Sequence, residues 1–273
     1  MHLASGRKTA LKSVDNDSLD KSPRVVVNNS LKIRIDDLKT FDPLTDNQKI
    51  FFDAYKRGDY FVALHGVAGT GKTFCAMYKA LEEVLDKSNP FKKIIVVRSA
   101  VQSREIGHLP GDVSEKMEIY QQPYRQICET LFGRKDAWDR LEEQGYIEFI
   151  STSFIRGMSF DDAIIIVDEM QNMTFEEIDT VMTRVGYRSK IIWCGDYRQT
   201  DLNKKKNDVS GILKFFDIAY HMHAFTKIEF TVADIVRSSL VRDYILAKLR
   251  YEDRKSTRLN SSHSSVSRMP SSA

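Results

Sequence analysis

The residues FVALHGVAGTGKT at positions 61–73 join an apolar run to a glycine-rich turn that ends in Lys72 and Thr73. The apolar run predicts a buried strand, and the spacing of apolar residues over 72–85 predicts a helix directly after the turn. Between strand and helix, G-x-x-x-x-G-K-[ST] is the pattern of a loop whose backbone N–H groups surround phosphate oxygens at a helix N-terminus. A chance match in a chain of 273 residues is on the order of one per cent. The stretch therefore predicts a P-loop nucleotide site.

Each residue of this loop has a predicted role in binding ATP and Mg²⁺. Lys72 is expected to reach the β- and γ-phosphates, and the hydroxyl of Thr73 is expected to ligate Mg²⁺. The other residues are expected to bind phosphate through the loop backbone, and they are Gly66, Val67, Ala68, Gly69, Thr70 and Gly71.

A second motif, Asp168-Glu169-Met170-Gln171, directly follows the apolar run 163–167. Open α/β sheets bind ligands beyond the carboxyl ends of their strands, so an acidic pair there belongs beside the P-loop. Asp168 is predicted to support Mg²⁺, and Glu169 to polarise the attacking water. A solvated acidic loop is the alternative, and the P-loop upstream disfavours it.

A third motif, GDYRQ at 195–199, follows the apolar run KIIWC. A P-loop, D-E-x-Q and G-D-x-x-Q in this order resemble superfamily 1 helicases. The resemblance implies that Gln171 and Gln199 sense the γ-phosphate and that Gln48 contacts adenine, although a glutamine on a helix is often only a surface residue. Arg237, after the last predicted strand, is expected to neutralise γ-phosphate charge in the transition state. An arginine at the surface is the alternative for that position.

Longer stretches of the sequence resemble one particular family of P-loop proteins. With the P-loop, the segments VRSAVQSREIGHLPGD (97–112), FIRGMSFDDAIIIVDEMQNMT (154–174), GDYRQTDL (195–202) and ADIVRSSLV (233–241) resemble the PhoH family of phosphate-starvation-inducible ATPases. The match runs from about Phe41 to Leu249. It implies a P-loop ATPase related to the superfamily 1 helicase core, often oligomeric and common in phages. In that family, RNA unwinding and cleavage are linked to members with an added nuclease-type domain, for which we expect no room in this chain.

Alternating apolar runs and helical patterns predict an α/β fold. We expect one RecA-like P-loop NTPase domain over 41–252, with a mainly parallel sheet flanked by helices. Residues 1–40 are expected to be a polar segment with a small hairpin, Val25–Val27 against Leu31–Ile35. The predicted strands are 61–65, 93–98, 146–151, 163–167, 190–194 and 227–231. The predicted helices are 43–55, 72–85, 114–132, 175–185, 209–220 and 240–249.

Residues 253–273 read as the translation of a sequencing-library adapter, so we treat them as a non-native tail. That tail carries four basic residues against one acidic residue, a net charge equal to the +3 of the whole chain. The pI of about 8.6 is therefore no argument for nucleic-acid binding. The sequence contains no apolar run long enough to span a membrane and no signal-peptide pattern, and its three cysteines lack paired spacing. These features predict a cytoplasmic protein, in a bacterial host if a phage encodes it.

The motifs lead us to expect ATP hydrolysis coupled to work on RNA or single-stranded DNA. A single RecA-like core leaves one face of the nucleotide open, so we expect a homo-oligomer in which Arg237 acts across an interface. A small-molecule kinase shares the P-loop but has no need of the D-E-x-Q and G-D-x-x-Q motifs. A nucleotide-dependent binding module with little turnover would not need Glu169.

Overall fold

Six parallel strands form the sheet at the centre of the fold, in the order β3-β2-β4-β5-β1-β6. The structure is a computed structural model that describes residues 32–99, 113–196 and 211–265. The strands are β1 (Phe61–Gly66), β2 (Lys93–Arg98), β3 (Ile147–Ser151), β4 (Ala163–Asp168), β5 (Lys190–Gly195) and β6 (Phe225–Phe230). The strands predicted from the sequence are confirmed, with small shifts at their ends, and the α/β fold class is confirmed with them.

Helices cover both faces of the sheet. They are α1 (Asp46–Arg57), α2 (Lys72–Leu85), α3 (Val113–Phe132), α4 (Ala137–Glu143), α5 (Phe175–Met182), α6 (Gly211–Ala219) and α7 (Ser239–Ser265). Helices α1 to α4 pack on one face with Val62 and Leu64, and α5 and α6 pack on the other with Phe61 and Ala63. Side chains alternate between the faces along each strand, which is why neighbouring residues of β1 belong to different cores. Among the described helices, none combines the length and apolarity that crossing a membrane requires.

The structure differs from the sequence-based prediction in three helices. Helix α4 was not predicted, because its seven residues are too few to show a helical period. Helix α5 ends at Met182 instead of Val185, since Val185 forms a β-bridge with Phe160. The start of the predicted helix 209–220 lies outside the described residues. Helix α7 continues from 249 to Ser265, through a stretch without glycine or proline, so it has no break at residue 252. The assignment of 253–273 to a foreign tail stays a proposal.

The predicted N-terminal hairpin is wrong in its described part. Ile35–Asp37 is a short 3₁₀ helix, not a strand, because the carboxylate of Asp37 accepts a hydrogen bond from the backbone N–H of Arg34 and turns the chain. Ile33 is buried in the same hydrophobic core as residues of α1 to α4, which anchors this segment to the domain. The first predicted strand, Val25–Val27, lies outside the described residues.

Candidate nucleotide site

The carboxyl ends of β1, β4 and β5 bring the predicted motifs together. β5 lies between β1, which leads into the P-loop, and β4, which ends in Asp168. This insertion of one strand between the two is the RecA-like arrangement. It places the P-loop, Glu169 and Asp196 at the same edge of the sheet.

The P-loop begins where β1 meets the end of β6. The backbone N–H of Val67 donates to the carbonyl of Phe230 at 3.0 Å. Gly66 has a φ of +123°, and a Cβ atom added there would lie 1.9 Å from the same carbonyl oxygen. Only glycine fits this close approach. The loop then turns at Gly71, in the left-handed region, and α2 starts at Lys72.

Lys72 is held inside the loop that it is predicted to serve. Its Nζ donates to the carbonyl oxygens of Gly66 at 2.9 Å and Val67 at 2.8 Å, and its side chain is almost fully buried. Burial lowers the pKa of Lys72, and nearby acidic groups, among them Asp196 and Glu169, oppose that shift. The ammonium therefore already lies at the centre of the loop, where incoming phosphate oxygens can replace the carbonyl partners.

Asp168 and Thr73 form the candidate metal site. The hydroxyl of Thr73 donates to Oδ1 of Asp168 at 2.8 Å, across a separation of 95 residues in sequence. Burial raises the pKa of the Asp168 carboxyl and Glu169 adds to the rise, whereas hydrogen bonds from Thr73 and Tyr124 oppose it. A carboxylate and a hydroxyl side by side are the hard oxygen ligands that Mg²⁺ prefers, so these two residues fit the ion.

Tyr124 belongs to the same site, although no sequence motif indicates it. The hydroxyl of Tyr124 in α3 donates to Oδ2 of Asp168 at 2.9 Å. Burial raises the pKa of Tyr124 well above its usual value, and the charge of Asp168 raises it further, so the phenol stays protonated and can donate. In the sequence, Tyr124 is one more apolar-face residue of an amphipathic helix, which is why reasoning from the pattern missed it.

Gln171 connects the acidic pair to the next strand. Its Nε2 donates to Oε2 of Glu169, and its Oε1 accepts from the backbone N–H of Asp196 at 3.0 Å. A Cβ atom added to Gly195 would lie 2.5 Å from Oε1 of Gln171, which explains the glycine of the third motif. Glu169 itself has a φ of +53°, a left-handed conformation that costs a non-glycine residue about 1–3 kcal/mol. Gln199 lies outside the described residues.

Gln48 holds the P-loop from the other side. Its Nε2 donates to the carbonyl of Thr70 at 3.0 Å, and its Oε1 accepts from the backbone N–H of Leu44 at 2.8 Å. The side chain is buried, which excludes the alternative of a plain surface residue. Beside it lies a cavity of about 450 Å³, a size typical of small-molecule sites. Its lining includes Phe41, Phe52, Phe74, Gln48, Gly71 and Arg237. Contact between Gln48 and adenine stays a prediction.

Arg237 lies against the P-loop of its own chain. The backbone N–H of Val236 donates to the carbonyl of Gly69 at 3.1 Å. A Cβ atom added to Gly69 would lie 3.0 Å from Cγ of Arg237. The segment is anchored by Asn47, whose side chain donates to Asp234 at 2.8 Å. Arg237 can therefore reach the nucleotide site without a second subunit.

Comparison with known proteins agrees with the sequence motifs. The family model described as "PhoH-like protein" matches residues 40–248. A PhoH-like protein of Bacillus subtilis (strain 168) is 37% identical over 204 residues, which cover 74% of this chain and 62% of that protein. A PhoH-like protein of Mycobacterium tuberculosis (strain ATCC 25618 / H37Rv) is 36% identical over 218 residues, 79% of this chain and 60% of that protein. The chain thus spans less than two thirds of the length of these relatives.

Solved structures resemble the chain only distantly. The large terminase from a thermophilic bacteriophage matches at a TM-score of 0.43 and 9% identity, over 74% of this chain and 50% of that chain. The Hef helicase domain of Pyrococcus furiosus matches at a TM-score of 0.39 and 12% identity, over 67% of this chain and 38% of that chain. Likeness at these scores carries no information about function.

Proposed function

This chain belongs to the PhoH-like protein family, and on that premise we propose that it binds ATP with Mg²⁺ and hydrolyses it. The observation that carries the proposal is the contact between Thr73 and Asp168, which joins the P-loop to the acidic pair. Two motifs separated in the sequence thereby form one site with a phosphate-binding side and a water-activating side.

Each side chain has one task in this proposal. Lys72 exchanges its carbonyl partners for β- and γ-phosphate oxygens, and the loop amides bind the remaining phosphate oxygens. Thr73 and Asp168 would hold Mg²⁺, which would neutralise charge on the β- and γ-phosphates. Glu169 orients and polarises the attacking water, and Gln171 keeps the Glu169 carboxylate in place. Arg237 supplies positive charge beside the γ-phosphate.

We further propose that hydrolysis is coupled to RNA or single-stranded DNA. The loop after β3 supports this partner, because it presents Phe154 with 57% of its surface exposed, together with exposed Arg156 and Met158. Exposed aromatic rings stack on bases, and arginine contacts both phosphates and bases. The loop lies at the carboxyl edge of the sheet, the same edge as the nucleotide site. Binding of single-stranded nucleic acid and binding of ATP can therefore influence each other.

The rigidity of this loop also suits a stacking platform. Ile155 is fully buried between the exposed residues, and the hydroxyl of Thr152 donates to Glu177 of α5 at 2.6 Å. An aromatic ring held in place loses less conformational entropy when a base stacks on it. A homo-oligomer remains part of the proposal as the expected assembly.

Steady-state turnover of ATP with product analysis tests this function. Wild-type protein is expected to release ADP and phosphate in the presence of Mg²⁺, and faster with single-stranded RNA or DNA. Lys72→Ala is expected to lose productive ATP binding. Glu169→Gln is expected to bind ATP yet hydrolyse it about 10²–10⁴-fold more slowly, because the group that activates water is lost.

Three outcomes would count against the proposal. Wild-type turnover by Glu169→Gln would remove the assigned base. Transfer of phosphate to a small molecule would establish the kinase alternative. Nucleotide binding by the wild-type protein without measurable release of phosphate would favour the binding module.

A further inference from the structure

We propose that Tyr124 is a positioning residue for the metal site, whose hydroxyl fixes the orientation of the Asp168 carboxylate toward Mg²⁺. This inference rests on the proposed function, because it concerns the same Mg²⁺ and ATP site. The residue comes from α3, an element that none of the nucleotide-binding motifs includes.

The two oxygens of Asp168 have different partners on opposite sides. Oδ1 accepts from Thr73 in the P-loop helix at 2.8 Å, and Oδ2 accepts from Tyr124 at 2.9 Å. A carboxylate bound at both oxygens cannot rotate about its χ2 bond without breaking a hydrogen bond. If Thr73 were to bind the ion instead of Oδ1, the bond from Tyr124 to Oδ2 would still limit rotation of the carboxylate.

The hydroxyl of Tyr124 can be separated from the packing of its ring. The ring lies among aromatic neighbours, 5.7 Å from Phe149 and 6.3 Å from Trp138 between ring centroids. These contacts need only a six-membered ring and are available to phenylalanine. The hydroxyl serves Asp168, so the substitution Tyr124→Phe removes the positioning contact and leaves the core filled.

A second tyrosine of α3 extends the contact to β2. Tyr120 lies one helical turn before Tyr124, and the guanidinium of Arg98 lies 5.6 Å from the centroid of its ring. Arg98 ends β2 and is paired in register with Asp168 at the end of β4. Helix α3 thus contacts the metal carboxylate and the charged residue beside it. Its position is coupled to the geometry of the metal site.

The experiment measures nucleotide binding and not only turnover. A fluorescent ATP analogue is titrated into wild-type protein and Tyr124→Phe at a series of Mg²⁺ concentrations. We expect the Mg²⁺ concentration at half-maximal effect to rise about 10-fold or more in the variant, the range found when partners of metal ligands are removed. Binding of the analogue without Mg²⁺ is expected to be unchanged. ATP turnover is expected to recover toward the wild-type rate at saturating Mg²⁺.

Tyr55→Phe is the matched control. Tyr55 is also a buried tyrosine, but it lies in α1 beside Glu83 and Lys190, near the amino-terminal end of β5. Removal of the Tyr55 hydroxyl is expected to leave the Mg²⁺ dependence of nucleotide binding unchanged. Partial unfolding of either variant reduces the number of binding sites but does not change the Mg²⁺ affinity of the sites that remain. The Mg²⁺ concentration at half-maximal effect is therefore still informative in a variant of lower stability.

The outcomes separate the two proposals. If wild-type protein shows no Mg²⁺-dependent nucleotide binding, the proposed function itself is wrong. If wild-type protein shows it and Tyr124→Phe requires the same Mg²⁺ concentration, the inference about Tyr124 is overturned while the function stands. An equal shift in Tyr55→Phe would also overturn it, because the effect would then follow from any buried tyrosine.

Discussion

The side chain of Gln171 illustrates how single residues organise this site. It reaches from Glu169 to the backbone of Asp196, and thereby joins the ends of β4 and β5. Glu169 is held in a strained left-handed conformation, and such strain persists only where the surroundings over-determine it. A shift of the Glu169 side chain would therefore be transmitted through Gln171 to the backbone of Asp196.

Phe154 is the residue on which nucleic-acid binding is most directly tested. Phe154→Ala is expected to weaken binding of single-stranded RNA or DNA about tenfold, because one stacked base contributes about 1–3 kcal/mol. Phe154→Trp is expected to retain binding, since it keeps an aromatic surface. ATP turnover without nucleic acid is expected to stay at the wild-type rate. Fluorescence anisotropy of a labelled oligonucleotide measures the affinity.

Tyr187→Ala is the control for exposed aromatic surface. Tyr187 is 86% exposed and precedes β5, at the opposite edge of the sheet from the loop after β3. Its substitution is expected to leave oligonucleotide affinity unchanged. Equal losses in both variants would show that binding is non-specific, and no loss in Phe154→Ala would remove this loop from the proposed interface.

Among the helices, α5 is tied to the sheet by one carboxylate. Glu177 and Thr174 form a capping box at its first turn. Oε1 of Glu177 also accepts from Ser99 at 2.7 Å and from Thr152 at 2.6 Å. The same side chain therefore caps α5 and connects it to the ends of β2 and β3, beside the loop that carries Phe154.

Stability as a function of pH tests that connection. Burial pushes the pKa of Glu177 upward, but hydrogen bonds from Thr152, Thr174 and Ser99 outweigh it and leave the pKa below its usual value. A folded pKa below the unfolded value, about 4.3, stabilises the fold above that pH. The stabilisation is lost as the pH falls through the lower folded pKa. Glu177→Gln is expected to lower stability at pH 7 by about 1 kcal/mol, discounted for partial exposure.

The difference between Glu177→Gln and wild type is expected to shrink as the pH falls below about 4. At neutral pH it corresponds to a melting temperature lower by about 2–4 °C. Glu176→Gln, an exposed neighbour in the same turn, controls for charge at the helix N-terminus. Thermal unfolding at several pH values gives the answer. A constant difference down to about pH 3, or an equal effect of Glu176→Gln, would contradict the assignment.

For the whole molecule, the position of Arg237 decides whether a nucleotide site needs a neighbouring subunit. The sequence led us to expect an arginine acting across an interface, because a single core leaves one face of the nucleotide open. The contact of Arg237 with Gly69 instead favours action within its own chain. An oligomer would then serve another purpose than completing the phosphate site.

Mixing two inactive variants tests whether Arg237 acts within its own chain. Lys72→Ala chains lack the phosphate lysine but keep Arg237, and Arg237→Ala chains have the reverse defect. If each arginine serves its own chain, mixed assemblies are expected to show no more ATP turnover than the sum of the two variants alone. Recovery of a substantial part of the wild-type rate in verified mixed oligomers would establish action across an interface and reverse this conclusion.

The sequence by itself determined the strands, most helices and the positions of the nucleotide motifs. These features are local: an apolar run, a helical period or a glycine turn is encoded within about 15 neighbouring residues and needs no partner to be recognised. The P-loop and the Asp168-Glu169 pair could be recognised in the sequence for that reason. Helix α4 could not be, because its period is too short, and Ile35, predicted as the end of a strand, instead begins a 3₁₀ helix in which Asp37 accepts a hydrogen bond from the backbone of Arg34.

The tertiary structure alone decided which distant side chains meet. Tyr124 approaches Asp168, and Gln171 reaches past Gly195, because packing of α3 and the order of the strands bring separate segments to one edge of the sheet. Such contacts join residues tens of positions apart, and no local pattern encodes them. Arg237 shows the same limit: its place after the last strand could be read from the sequence, but its position against its own P-loop depends on how the segment after β6 packs on that loop.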